Sequence, residues 1–163
     1  MTEDDNERAA LKRPSSVPWP PILLVGVVAA AWGLGRLAPI EWTGLDDWPA
    51  RAVGYGIGIT GILIAAWGIA ALMQAGTTVL PTARASRLVT RGPYRRWRNP
   101  IYLGEVMILL GLAELTHNIW FVVAAAAFAL LVTWLAILPE ERHLEAVFGE
   151  QYRAYKAHTR RWL

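Results

Sequence analysis

The residues best equipped for chemistry lie close together in Arg98-Asn99-Pro100-Ile101-Tyr102-Leu103-Gly104-Glu105, with a second acidic pair at Glu140-Glu141. Asn is a favoured N-cap and Pro is pre-organised for the first helical position, so Asn99-Pro100 predicts a helix start. A helix start beside arginine is an anion site. Tyr102 and Glu105, three apart, share a face of that helix. A helix cap alone needs neither Arg98 nor Glu105, which favours a functional reading. Glu105 is the one obvious buried candidate near the arginines for moving a proton. The pair after Pro139 has two readings that stand side by side. The acids complement a helix dipole, or they pair with the arginine-rich loop or with a bound cation.

The elements that must hold these groups are apolar. Val53 to Met73 and Ile119 to Leu138 carry no charge, and each is about the 20 residues that a membrane span requires. Pro14 to Gly35 is also uncharged, with an apolar core from Ile22 onward and Arg36 free to snorkel at its end. Ile101 to Thr116 makes a shorter fourth span, interrupted by Glu105 and Glu114. Those two acids fall on opposite faces of a helix and are not expected to work as a pair. The expected fold is an all-α membrane protein of about four transmembrane helices in two hairpins, followed by a C-terminal amphipathic helix on the cytoplasmic side. That last helix starts after Pro139, with Leu144, Val147, Phe148, Tyr152 and Tyr155 on one face.

Charge placement sets the expected orientation. Of the 16 Lys and Arg, all but Arg36 and Arg51 fall in the N-terminal tail, the Arg84–Arg98 loop or the segment after Pro139. The connection from Pro39 to Pro49 is acidic. By the positive-inside rule, both termini and the basic loop are cytoplasmic. The organisation reads as a flexible tail over 1–18, the first two spans over 19–75, and a functional half over 76–163. The first span follows an acidic patch and is too long for a signal-peptide core. No cysteine is present, which excludes a disulfide framework, a thiolate metal site and a cysteine nucleophile. The three histidines are scattered, so no metal site is expected. The net charge of +3 is held at membrane edges, and no nucleic-acid partner is expected.

Gly56-Ile57-Gly58-Ile59-Thr60-Gly61 matches the dinucleotide-binding fingerprint letter for letter. It lies inside an apolar span with no strand before it, so it reads as helix packing, with Gly54 and Gly58 forming a GxxxG pair.

Taken in order, Gly76-Thr77-Thr78, Leu88-Val89-Thr90-x-Gly92-Pro93-Tyr94, Arg98-Asn99-Pro100-x-Tyr102-x-Gly104, Glu140-Glu141-x-x-Leu144 and Phe148-Gly149-Glu150-x-Tyr152-x-x-Tyr155 resemble a known superfamily. It is that of the isoprenylcysteine carboxyl methyltransferases and phospholipid methyltransferases. The resemblance covers Gly76 to Trp162 and implies an integral-membrane enzyme that uses S-adenosyl-L-methionine. By matching position it implies cofactor contacts from Ser86, Arg87, Leu88, Val89, Tyr94, Asn99, Pro100, Ile101, Tyr102 and Glu140. Arg98 and Glu141 join them as the neighbouring charges. Two departures stand out. Many members have His where this chain has Asn99, and the prenylcysteine enzymes have Arg where it has Ala136.

The expected function is methyl transfer to a lipophilic acceptor, whether a prenylcysteine-like carboxylate, a phospholipid amine or a small thiol. A carboxylate acceptor needs no base, whereas an amine or thiol gives Glu105 a catalytic role. Two rivals are an NADPH-dependent reductase of the steroid-reductase type and a non-catalytic adaptor that binds membrane lipids. The Gly54/Gly58 pair serves an intramolecular contact or a dimer equally well.

Overall fold

A computed structural model describes residues 17–40, 47–77 and 87–163, and every regular element among them is helical apart from one isolated bridge. The elements are α1 (Trp19–Leu37), α2 (Trp48–Gln74), a short 3-10 turn (Gly92–Arg95), α3 (Pro100–Thr116), α4 (Trp120–Val132), a π-helical turn (Thr133–Ile137), α5 (Leu138–Phe148) and α6 (Glu150–His158). α1, α2 and the unbroken helix Trp120–Phe148 are long and apolar enough to cross a membrane. The chain is an all-α membrane protein. α3 has 17 residues, at the lower end of a spanning length.

α2 and α3 run antiparallel along a seam of small residues. A Cβ on Gly61 would lie 2.6 Å from the carbonyl oxygen of Gly104, and one on Gly58 would lie 3.1 Å from Cα of Gly111. Gly54 faces the side chain of Glu114, and Gly68 faces Ile101 and Pro100. Small residues let helix backbones meet in lipid, where no hydrophobic force drives them together. The glycine run in α2 is therefore a helix contact within this chain, and Gly56, the one glycine of the fingerprint with open space around it, takes no part.

The first two spans depart from the expected hairpin. α1 packs on α4, α2 packs on α3, and α3 packs on α4. The reason lies in where specific contacts are available. α2 spends its glycine face on α3. α1 is fastened to the α3–α4 turn by the Asn118 side-chain amide donating to the Ala31 carbonyl at 3.0 Å and the Trp120 indole donating to the Ala38 carbonyl at 2.8 Å. Leu109, Phe121, Phe128, Val132 and Ile137 are fully buried at the centre of the bundle.

The C-terminal helix also differs from expectation. α5 continues α4 through the π-helical turn instead of starting afresh after Pro139, and Gly149 then breaks it from α6. Gly149 has φ +51, a backbone conformation that side chains with a Cβ disfavour.

A methyl group at Gly104 would meet the Gly61 carbonyl at 2.5 Å and Ala65 at 2.8 Å. Gly104→Ala is expected to lower stability by about 1–3 kcal/mol. Gly56→Ala, in open space, is expected to be neutral or stabilising. Thermal unfolding of both variants in detergent checks the pair.

Candidate active site

One end of the bundle gathers the start of α1, the end of α2, the segment leading into α3, the π-helical turn, α5 and α6 around a cavity of about 290 Å³. Its wall is two-sided. Pro20, Pro21 and Leu24 of α1, with Ile69 and Leu72 of α2, are apolar, while the polar groups come from the other elements. Cofactor-sized sites are commonly built this way, with an apolar lining and a few placed polar groups.

The π-helical turn is what aims α5. Its wide winding keeps Ile137 buried and brings Ile137, Glu140, Glu141 and Leu144 onto the cavity. Turns of this kind are frequent at functional sites. Thr133 donates its hydroxyl back to the Ala129 carbonyl at 2.6 Å, a bond that favours local bending.

Most of the expected site residues meet here. Arg87, Leu88, Val89, Tyr94, Arg98, Asn99, Ile101, Tyr102, Glu105, Glu140 and Glu141 all line the cavity. Pro100 does not; it is buried at the first turn of α3 against Gly68. Ser86 lies outside the described residues, as does Thr78. Asn99 precedes α3 but does not cap it with its side chain. Its amide donates instead to the Arg161 carbonyl at 3.0 Å, because that carbonyl, brought in from far along the chain, competes successfully for it.

Several of the lining groups are committed to protein partners. Glu141 accepts from Arg98 Nε at 3.1 Å, from Arg161 Nε at 3.0 Å and from Arg161 Nη2 at 2.7 Å. Arg98 also donates to the main-chain carbonyls of Lys156 and Thr159. The side chains of Arg98 and Glu141 are only 10% and 8% exposed, so each needs the other. Of the two readings of the acidic pair, Glu141 takes the one in which a carboxylate pairs with the arginine-rich loop.

Another set of polar lining groups is uncommitted. Arg87, Glu140 and the hydroxyls of Tyr94 and Tyr102 make no hydrogen bond among the described residues, and Oε2 of Glu105 is buried without one. Burial, then the nearby Glu140 and Tyr155, hold the Tyr94 phenol well above its ordinary range. Tyr94 is therefore a neutral hydrogen-bond donor at physiological pH. Tyr155 donates to the Tyr94 carbonyl at 2.7 Å and fixes the short turn against α6.

Residues absent from the expected set also line the cavity, notably His143, Tyr152 and Tyr155. His143 and Tyr152 are almost fully buried. The two tyrosines stood on the expected amphipathic face. His143 had no such marker, since one histidine without a spaced partner carries no pattern. Glu114 sits at the far end of α3 from this cavity, packed against Gly54.

Residues 49–151 match the family model for phospholipid methyltransferases. An uncharacterized protein of Haemophilus influenzae is 36% identical over 63 residues, which is 39% of this chain and the whole of that protein. No solved structure matches the chain. The matched segment runs from the first turn of α2 into α6 and contains the polar side of the cavity apart from Tyr152 and Tyr155.

Glu141→Leu leaves a buried guanidinium unpaired and is expected to cost about 3–5 kcal/mol. Adding Arg98→Met to it should recover part of that loss. A double-mutant cycle of unfolding in detergent measures the coupling, expected at about 1–3 kcal/mol.

Proposed function

The chain belongs to the phospholipid methyltransferase family, and we propose that it transfers a methyl group from S-adenosyl-L-methionine to a lipophilic acceptor whose nucleophile carries a proton. The observation that carries this reading is the set of uncommitted polar groups converging on one cavity at the end of a membrane bundle. Membership makes the chain a membrane methyltransferase; donor, acceptor and residue roles are our inference.

The residues fit the donor. Arg87, a cation without a partner among the described residues, suits a carboxylate. Glu140 accepts from an ammonium or a ribose hydroxyl, and Tyr94 and Tyr102 supply neutral phenols as donors and flat faces for stacking. Arg98 supports this wall from behind, since its own bonds go to Glu141 and to main-chain carbonyls. When bound, S-adenosylmethionine supplies an electrophilic methyl on a sulfonium.

Glu105 decides the acceptor class. It lies one turn inside α3, beyond Tyr102, with a buried oxygen that nothing satisfies. There it holds the proton that an amine or thiol must lose. A carboxylate acceptor needs no such group and would meet it as a like charge. Alignment and exclusion of water do the remaining work. The apolar residues of α1 and α2 at the cavity suit the lipophilic body of the acceptor, which reaches the site from the bilayer between those helices. The donor enters from the cytoplasmic face, where the positive-inside rule places this end of the bundle. The family match favours methyl transfer over an NADPH reductase or a lipid-binding adaptor.

Equilibrium titration of the detergent-solubilised protein with S-adenosylhomocysteine should show binding that weakens about tenfold or more in Glu140→Gln and in Tyr102→Ala. Unchanged affinity in both variants overturns the site assignment. Labelled methyl transfer into a fractionated membrane extract should mark an amine- or thiol-bearing lipophile. In that assay Glu105→Gln should lower kcat by about 100-fold or more while S-adenosylhomocysteine affinity is kept. Label entering a carboxyl ester removes Glu105 from its role.

A further inference from the structure

The segment after α6 returns along the chain that leads into α3. Trp97 and Arg160 form a parallel bridge, with Arg98 N donating to the Arg160 carbonyl at 2.8 Å and Arg160 N to the Arg96 carbonyl at 3.1 Å. Trp162 packs against the apolar core. Between those two anchors, Arg161 reaches Glu141 with a two-pronged guanidinium and accepts from the Asn99 amide at its carbonyl.

We propose that residues 159–163 form a strap built into the donor site, and that Arg161 is a positioning residue that sets which polar atoms the cavity offers. This rests on the methyl-transfer reading of the cavity. The argument is one of commitment. Glu140 and Glu141 are adjacent on α5, about 100° apart around the helix, and both line the cavity. Arg161 and Arg98 together take both oxygens of Glu141, which leaves Glu140 as the carboxylate for a ligand. The Arg161 carbonyl takes the Asn99 Nδ2, which leaves Oδ1 as the atom Asn99 presents. An amide has one acceptor and one two-hydrogen donor, and whichever is spent fixes the other. The strap thus makes the wall of Asn99 and Glu140 an acceptor wall, suited to an ammonium and to hydroxyls. The end of α6 and the strap also hold Arg98 through the Lys156 and Thr159 carbonyls, so that its charge is spent on Glu141 at the cavity wall.

Without the Arg161 side chain, one Glu141 oxygen loses its partner and competes with Glu140. The strap is then held by its main-chain bonds and Trp162 alone, and as it loosens the Arg161 carbonyl releases the Asn99 amide to turn its donor inward. The turned amide opposes a cationic group at that wall, and the freed oxygen of Glu141 draws such a group off the position that Glu140 sets. Arg161→Lys keeps the charge but loses the two-pronged geometry.

The test compares the full-length wild type with Arg161→Ala and Arg161→Lys, using Arg142→Ala as the control. Arg142 is exposed on α5 and lines no part of the cavity. The measurements are S-adenosylhomocysteine affinity and the KM for S-adenosylmethionine, for the acceptor, and kcat. Arg161→Ala should weaken S-adenosylhomocysteine about tenfold or more and raise the donor KM alike, with the acceptor KM within about threefold; Arg161→Lys should fall between it and the wild type. A purely structural role would lower the active fraction and leave affinity and KM unmoved, and that result overturns the proposal. Amide hydrogen exchange without ligand reads the strap separately. Faster exchange over residues 97–103 in Arg161→Ala supports the strap, and unchanged exchange overturns it. Wild type that takes no S-adenosylhomocysteine overturns the donor reading and this positioning role with it, whereas wild type that binds alongside an Arg161→Ala that binds equally well overturns the positioning role alone.

Discussion

A charge held near a bilayer must be neutralised by the protein itself, and Glu141 is where this structure meets that demand. Its carboxylate joins three stretches of chain that share no sequence neighbourhood: the loop before α3, the first turn of α5 and the segment after α6. Each of these also contributes to the cavity or to its back wall. The site is therefore assembled by electrostatics across the polar end of the bundle. The membrane part is assembled by close backbone contact along the α2–α3 seam. The two devices suit their surroundings, since charge pairing gains strength where water is scarce and small residues are what lipid leaves available for helix contact.

The cavity inherits this division. Its polar side is built largely from the matched family segment and is cross-braced by hydrogen bonds from Tyr155 to the Tyr94 carbonyl and from Arg98 to α6 and beyond. Its apolar side comes from α1 and α2, two helices whose main contacts are with α4 and α3 and not with each other.

Much of this was legible in the residues alone. Uncharged runs of spanning length read directly as membrane helices, and glycines at helical spacing announced close packing without saying whether the partner lay within the chain or in a second copy. Most of the motif residues from Arg87 to Glu141, which the family resemblance grouped as one site, line a single cavity. What stayed hidden depends on distant chain. Asn99 reads locally as a cap, and only the Arg161 carbonyl, 62 positions later, draws its amide away. The strap is invisible because its recognition runs largely through main-chain atoms, which every residue carries. The pairing of α1 with α4 rests on Asn118 and Trp120, two side chains at a turn whose targets are again carbonyls.

The π-helical turn at Thr133–Ile137 carries a consequence of counting. Each residue in a helix advances the facing direction by about 100°, so the phase of everything after the turn depends on how many residues it contains. Loss of one residue there would swing Glu140, Glu141 and Leu144 away from the cavity together, although every side chain in the turn were kept. Packing fixes that phase as well, since Ala136 and Ile137 of the turn are buried in the core. At this point of the chain, the number of residues decides what the side chains downstream of it can reach.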